Sequence, residues 1–204
     1  MHRDKYDLYG AYKNLLTGRV LDYGCGNGNL TYGMDPDKYV GLEVDREAYL
    51  YCRKKYPKHN FMYQDIHNPC YNPEGYKHTP EIYEMFDSIF AYSVFTHTSQ
   101  SCMEQTIKKL RKYCKKLYVS LLLDDNEEFI DFIKHQRIKK YGSCDDIVIR
   151  GNVGYLVDNK MSDLPVRSCN EFITIYKRSF IEEMGTLLPP VKNKTYQDLL
   201  CITN

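Results

Sequence analysis

The sequence lacks the features that mark metal-bound, secreted or membrane-spanning chains. None of its eight cysteines forms a C-x-x-C pair, the spacing that zinc sites and redox motifs use. No apolar run approaches the ~18 residues of a membrane span, and the charged first residues contain no apolar signal core. These absences predict a cytoplasmic protein with reduced thiols, no metal centre and no membrane partner.

An excess of charge of either sign is also missing. The 28 Lys and Arg residues nearly balance the 27 Asp and Glu residues, which leaves a formal net charge of +1. A chain so balanced offers no strong overall field to a nucleic acid, although a local basic patch could still bind one. The length of 204 residues suits one domain, and we find neither a linker nor an internal repeat. Residues 1–204 are therefore predicted to form a single domain.

What the sequence does contain is a regular alternation of apolar runs and amphipathic segments. Strands are predicted near residues 19–23, 39–44, 61–64, 86–92 and 117–123, with helices between most of them. This order is typical of βαβ units and predicts an α/β fold around a mostly parallel, doubly wound sheet. Residues 187–191 and 198–203 are predicted to close the sheet as an antiparallel hairpin.

A glycine loop, Gly24-Cys25-Gly26-Asn27-Gly28, follows the first predicted strand. Glycines at such a turn let the backbone approach a nucleotide-type ligand closely. The dinucleotide pattern G-x-G-x-x-G fails because Asn29 holds its last glycine position, and no Lys-Ser or Lys-Thr follows to make a P-loop. A nicotinamide oxidoreductase therefore remains only a distant alternative.

Three acids placed at the ends of successive strands narrow the choice of nucleotide. S-adenosylmethionine (SAM) carries a sulfonium cation, an α-amino group and a ribose diol, all of which favour carboxylates. Asp22 is within reach of the amino-acid end, and Glu43 can accept hydrogen bonds from both ribose hydroxyls. Asp65 can accept a hydrogen bond from the adenine amino group. Asp45 is a competing candidate for the ribose.

The same segments resemble the motifs of class I SAM-dependent methyltransferases. Residues 20–28 (VLDYGCGNG) are similar to the first motif, and the later ones have counterparts at 39–45, 64–66, 86–91, 92–97 (YSVFTH) and 197–203. The resemblance implies a Rossmann-like, seven-stranded, mostly parallel sheet with helices on both faces and an antiparallel last strand. It also implies SAM as the cofactor and S-adenosylhomocysteine (SAH) as its product. The expected cofactor-binding residues are Asp22, Gly24, Cys25, Gly26, Asn27, Gly28, Glu43, Val44, Asp65, Ile66 and Tyr92.

Methyl transfer from SAM is a displacement at an already activated carbon, so the protein mainly supplies proximity, orientation and a base. Residues just after the fourth strand face the methyl group in a sheet of this type. We therefore take Tyr92 and His97 as candidate catalytic residues. His97 is the candidate base because the ordinary pKa of histidine lies near 6.5, and its alternative role is to cap or pack the next helix.

The sequence says less about which molecule accepts the methyl group. A helix over about residues 103–117 is predicted to carry six basic side chains opposite its apolar stripe: Lys108, Lys109, Arg111, Lys112, Lys115 and Lys116. Such a face is usually solvated surface, so a small-molecule acceptor is favoured over nucleic acid. An RNA or mRNA-cap methyltransferase and a non-catalytic SAM-binding subunit are the alternatives. The oligomeric state stays open.

Two further segments bear on the acceptor. Residues 125–178 replace a short connection and are predicted to form a lid over the substrate, with Tyr141, Tyr155 and Phe172 as candidate lining residues. Asn68-Pro69-Cys70-Tyr71 is similar to the (N/D)-P-P-Y motif of enzymes that methylate exocyclic amines, but it follows the third strand instead of the fourth. We therefore interpret it as a loop.

Overall fold

The strands and helices of the computed structural model follow the alternation predicted from the sequence. The structure describes residues 8–127, 130–131, 134–135, 148–150, 153–156, 173–191 and 197–204. Its strands are β1 Val20–Tyr23, β2 Tyr39–Glu43, β3 Asn60–Tyr63, β4 Phe86–Ala91, β5 Cys114–Leu121, β6 Val148–Arg150, β7 Val153–Leu156, β8 Ile173–Tyr176, β9 Thr186–Leu188 and β10 Asp198–Thr203. Its α-helices are α1 Leu8–Tyr12, α2 Arg46–Lys55, α3 Gln100–Leu110 and α4 Arg178–Glu182, and 3₁₀ helices span Leu30–Gly33, Pro36–Lys38, Phe95–His97 and Arg111–Tyr113.

Seven of the strands form one sheet in the order β3-β2-β1-β4-β5-β10-β9. Strands β1 to β5 pair in parallel, whereas β10 runs antiparallel to both β5 and β9. The predicted mostly parallel sheet with an antiparallel last strand is thus confirmed. The strand order reverses between β1 and β4, and ligands of such sheets bind outside the carboxyl ends of the strands at this point.

Hydrophobic side chains cover both faces of the central strands. On one face Leu21 belongs to the same buried cluster as Met103 and Leu110 of α3. On the other face Val20 shares a buried cluster with Tyr12 of α1. Because β1 is buried at every position, it reads as a continuous apolar run, and this is why the sequence predicts it well.

The helix predicted over residues 103–117 is wrong in its second half. Helix α3 ends at Leu110, and Lys115 and Lys116 lie on β5. Pairing of β5 with β4, which places Cys114 beside Phe86 and Leu117 beside Ile89, outweighs the helical spacing of those side chains. The six basic residues therefore do not share one helix face.

Strands β6, β7 and β8 form a separate antiparallel sheet, which falls within the segment predicted to be a lid. Strand β8 is tied to the loop after β4, because the Tyr176 hydroxyl donates to the carbonyl of Phe95 at 3.0 Å and the Thr174 hydroxyl donates to the carbonyl of Thr98 at 2.7 Å. Tyr141 and Phe172 lie outside the described residues. In the described part of the chain, no helix is long and apolar enough to cross a membrane.

Candidate functional site

A cavity of about 460 Å³ opens at the carboxyl ends of β1, β2 and β4, where the strand order reverses. This volume is within the range of small-molecule sites in proteins. Nine of the residues expected to bind a cofactor line it: Asp22, Gly24, Cys25, Gly26, Asn27, Glu43, Val44, Ile66 and Tyr92. Residues from several sequence motifs therefore line the same cavity.

The glycine loop requires glycine for two different reasons. Gly24, Gly26 and Gly28 all have positive φ, at +73°, +54° and +77°. A Cβ atom on Gly26 would meet nothing within 4 Å, because this residue faces the open cavity. A Cβ atom on Gly28 would lie 2.8 Å from the ring of Tyr56 at the end of α2. Gly28 therefore serves packing of the loop and does not line the cavity.

Glu43 ties the glycine loop to the end of β2. Its Oε2 accepts a hydrogen bond from the Gly26 amide at 2.6 Å, and its Oε1 accepts from the amides of Val44 and Asp45 at 2.7 and 2.9 Å. Burial raises the pKa of this carboxyl, and the three amide donors oppose that rise. Three of the roughly four lone-pair sites of the carboxylate are already used. The residue expected to bind a ribose thus also shapes the loop.

Two buried cysteines make a further contact between the glycine loop and helix α2. Cys25 lies in the loop and Cys52 on α2, and the Cys52 Sγ donates to the carbonyl of Gly26 at 3.1 Å. A hydrogen bond with Cys52, together with burial, holds the pKa of the Cys25 thiol well above its ordinary value. The Cys25 thiol is therefore protonated and serves as a neutral packing group.

Asp22 is a buried carboxyl at the floor of the cavity. Its Oδ2 accepts a hydrogen bond from the Tyr39 hydroxyl at 2.7 Å, and only 4% of the residue is exposed. Burial raises its pKa to about 7, the hydrogen bond from Tyr39 opposes this rise, and the nearby charge of Glu43 adds to it. A carboxyl in this state favours a cationic ligand, which would restore its ionised form.

Besides Gly28, two of the sequence-predicted site residues, Asp65 and His97, do not line the cavity. The Asp65 carboxylate accepts a hydrogen bond from the Asn72 side-chain amide at 2.8 Å. The His97 ring, in the 3₁₀ helix after β4, stands edge-on to Tyr71 with ring centroids 5.9 Å apart. Asp45, the competing ribose candidate, accepts from the first amides of α2 as its N-cap.

Other lining residues were not among the site residues predicted from the sequence. Asn68 and Tyr71 belong to the N-P-C-Y segment, which is a loop as predicted: the Asn68 Oδ1 accepts from the Tyr71 amide at 3.0 Å. Ser93 and Gln197 also line the cavity, although 104 residues separate them in the chain. Only the folded sheet brings these groups together.

Ser93, Ser120 and Gln197 form a closed cycle of hydrogen bonds at the ends of β4, β5 and β10. The Ser93 amide donates to the Ser120 Oγ at 2.6 Å, the Ser120 hydroxyl donates to the Gln197 Oε1 at 2.6 Å, and the Gln197 Nε2 donates to the Ser93 Oγ at 3.0 Å. The cycle holds Ser93 at a φ of +57°, in the left-handed region that a serine rarely adopts. Local strain of this kind often accompanies a functional site.

We expect Ser120→Ala to lower the free energy of unfolding by about 1–3 kcal/mol, because the Ser93 amide and the Gln197 carbonyl then lose their partner inside the protein. Ser88→Ala is the matched control, since this equally buried serine has a hydroxyl without a partner among the residues the structure describes. Removal of the Ser88 hydroxyl should leave the free energy of unfolding unchanged or slightly higher. Urea unfolding of both variants measures the difference, and equal losses would contradict the role of the cycle.

The charged side chains around the cavity are acidic. Asp22, Glu43 and Asp45 line it, whereas no Lys or Arg of the described ranges does. Lys108 and Lys112 border a separate groove at the far end of α3. The cavity therefore suits a cation better than a phosphate.

Comparison with known proteins agrees with this geometry. Residues 20–116 match the model of a family described as methyltransferase domain. No curated protein matches the sequence significantly.

Three solved structures show the fold, each at less than 15% identity. A SAM-dependent methyltransferase from Clostridium acetobutylicum aligns with a TM-score of 0.55 and 14% identity, over 100% of this chain and 92% of that one. Magnesium protoporphyrin IX methyltransferase from Synechocystis, with bound SAH, gives a TM-score of 0.54 and 13% identity over 93% and 75%. A glycopeptide N-methyltransferase complexed with SAM gives 0.53 and 11% over 94% and 84%.

Proposed function

We propose that this chain, whose residues 20–116 are a methyltransferase domain of the class I, SAM-dependent type, transfers a methyl group to a small-molecule acceptor. The observation that carries the proposal is the acid-lined cavity beside the glycine loop at the carboxyl edge of the sheet. Its volume and its charge both suit SAM, which is a small cation with a ribose and an adenine.

The residues present fit the cofactor. Gly26 leaves space in which a Cβ atom would otherwise stand, and Asp22 is a buried carboxyl without a cation beside it in the described structure. Asp22 would hold the α-amino group, Glu43 the ribose, and Val44 and Ile66 the faces of the adenine. SAM supplies a methyl group on a positively charged sulfur, so a nucleophile needs only to be aligned with it.

Tyr92 is the candidate catalytic residue that the structure favours. It lines the cavity just after β4, and its ring stacks on Phe90 with centroids 5.9 Å apart. A role for His97 as the base stays a prediction, since its ring contacts Tyr71 and does not line the cavity. Binding of the adenine amino group by Asp65 is likewise still a prediction.

A small acceptor is supported by the charge of the cavity. An RNA or a cap would bring several phosphates, which proteins bind with Lys and Arg, and neither residue type lines the cavity in the described part of the chain. The similar solved proteins include methyltransferases of magnesium protoporphyrin IX and of a glycopeptide, neither of which is a nucleic acid. We further propose one domain over residues 1–204, with residues 125–178 as a lid over the acceptor.

We also propose a cytoplasmic location, because a reducing compartment keeps thiols free. The cysteines that the structure describes are all free: Cys25, Cys52, Cys70, Cys102, Cys114 and Cys201.

The test of this function is calorimetry with SAM and SAH, followed by tritium transfer from labelled SAM into a cell extract. We expect binding of both ligands and label in the fraction of small molecules, with a yield that changes little between 50 and 200 mM salt. Label in RNA, lost by nuclease treatment and falling steeply with salt, would instead support the RNA alternative. Binding of SAM without any formation of SAH would indicate a non-catalytic subunit, and no binding would refute the proposal.

A further inference from the structure

The hydroxyl of Tyr39 is the hydrogen-bond partner of the Asp22 carboxyl, and packing fixes its position. Tyr39 begins β2 beside β1, is fully buried, and donates to the Asp22 Oδ2 at 2.7 Å. The rings of His59 and Phe61 pack edge-on against the tyrosine, with centroids at 5.5 and 5.8 Å. The tyrosine ring therefore cannot turn its hydroxyl elsewhere.

Of the other titratable groups described around Asp22, Glu43 is the one whose charge raises the pKa of its carboxyl. Glu43, from the end of β2, adds a negative charge, and Cys25 in the glycine loop and Cys52 on α2 are buried thiols. Among the described residues no Lys or Arg lines the cavity, and His67, which does line it, has its ring Nδ1 hydrogen-bonded to the carbonyl of Pro73 at 3.0 Å. Because burial raises the pKa of Asp22 to about 7, this carboxyl carries a proton for much of the time at neutral pH unless a cation binds beside it.

We propose that Tyr39 is a positioning residue for the cofactor: its hydroxyl aims the Asp22 carboxyl into the cavity, and capture of the SAM ammonium there releases one proton to solvent. This inference rests on the proposed function, since it assumes that SAM is the ligand. The step breaks only the O–H bond of the Asp22 carboxylic acid, and the ammonium of SAM then faces the carboxylate that remains. Cofactor binding is thereby linked to pH through one carboxyl.

The direction of the linkage follows from the charges. A positive ammonium near the carboxyl favours its ionised form, so the pKa of Asp22 falls when SAM binds. SAM must then displace a proton at low pH, and its affinity rises as the pH rises toward about 7. Phenylalanine at position 39 removes the hydrogen bond that stabilises the ionised form, so the same rise in affinity should occur at higher pH.

The first experiment needs no variant. Calorimetry of SAM binding at pH 6.5, in two buffers with different enthalpies of ionisation, measures the protons released. We expect roughly three-quarters of a proton per SAM, the fraction protonated at pH 6.5 for a pKa near 7. The matched ligand is 5′-methylthioadenosine, which lacks the amino-acid end and should bind with no proton release.

The second experiment measures the affinity of the wild type and of Tyr39→Phe for SAM from pH 5.5 to 9. We expect the midpoint of its pH profile to lie about one unit above that of the wild type, with the affinity at pH 6 about tenfold weaker. Tyr118→Phe is the control, because Tyr118 is buried on the same side of the sheet but lies beside Cys201 instead of an acid. It should keep the profile of the wild type.

The results of these experiments distinguish three claims: the proton linkage, the positioning role of Tyr39 and the proposed function. Binding of SAM without proton release, or equal release with 5′-methylthioadenosine, would refute the linkage while leaving the proposed function intact. A Tyr39→Phe variant with reduced thermal stability but an unchanged pH profile would show that Tyr39 has a structural role only. If Tyr39→Phe does not fold, the comparison of the two ligands on the wild type still decides the linkage. A wild type that binds no SAM at any pH would refute both the linkage and the function.

Discussion

Asp22→Asn is expected to weaken SAM binding by roughly 10- to 100-fold and, at the same time, to stabilise the protein. Asparagine keeps an oxygen that accepts the Tyr39 hydroxyl but cannot pair with an ammonium, and a hydrogen bond to a charged group contributes about 1.5–3 kcal/mol. Stability rises because the wild type must keep a buried carboxyl that ionises only near pH 7. Calorimetry and thermal unfolding at pH 8 test the two effects together.

The direction in which the stability gain of Asp22→Asn changes with pH follows from the pKa of Asp22 in the folded and the unfolded protein. An unfolded aspartate has a pKa near 4, so between pH 4 and 7 the folded wild type binds more protons than the unfolded chain and loses stability as the pH rises. The gain in Asp22→Asn should therefore be small at pH 4 and reach on the order of 2–4 kcal/mol at pH 8. Asp87→Asn is the control: its carboxylate lies 2.6 Å from the Lys115 ammonium, which holds the pKa of this group below its ordinary value, so its replacement should give no gain. A lower midpoint of unfolding for Asp22→Asn at pH 8 would contradict the account.

Gly26→Arg is expected to abolish SAM binding while leaving most of the fold intact. A side chain at this position enters the cavity, since its Cβ atom would have no protein atom within 4 Å. The arginine would fill the space of the cofactor and place a cation beside the site of the sulfonium. Calorimetry with SAM should show no measurable heat of binding.

Gly26→Ala is the matched control, because it imposes the same positive φ of 54° without the bulk or the charge. Both variants should lose about 1–2 kcal/mol of stability through the strained backbone. Alanine should retain measurable binding, and only arginine should eliminate it. Equal binding losses in the two variants would show that the backbone of the loop matters more than the space it leaves.

The sequence predicts those parts of the fold that depend on local pattern. Strands β1 to β5 are short apolar runs bounded by glycine, proline or a change of period, and the final hairpin has the same signals. The end of α3 could not be predicted, because Cys114 and Leu117 satisfy a helical spacing as well as a strand. Their pairing with Phe86 and Ile89 decides the matter, and that pairing is a long-range contact.

The residues of the candidate site also fall into two groups: those that a local sequence pattern predicts and those that only the folded chain brings together. Asp22 and Glu43 were predictable because each ends a strand whose carboxyl end must face the ligand. The direction of a loop side chain is not fixed by its position in the sequence, and so His97 faces Tyr71 instead of the cavity. The cycle of Ser93, Ser120 and Gln197 joins residues 27 to 104 positions apart, which no single sequence reveals.

The hydrogen bonds of Glu43 leave one acceptor position open beside the glycine loop. Oε1 already accepts from the amides of Val44 and Asp45, whereas Oε2 accepts only from the Gly26 amide. A carboxylate oxygen has two lone pairs, so Oε2 can accept one further hydrogen bond without releasing the loop. We therefore expect a ribose hydroxyl to bind to a loop that is already preorganised, so that binding carries no cost for ordering the loop.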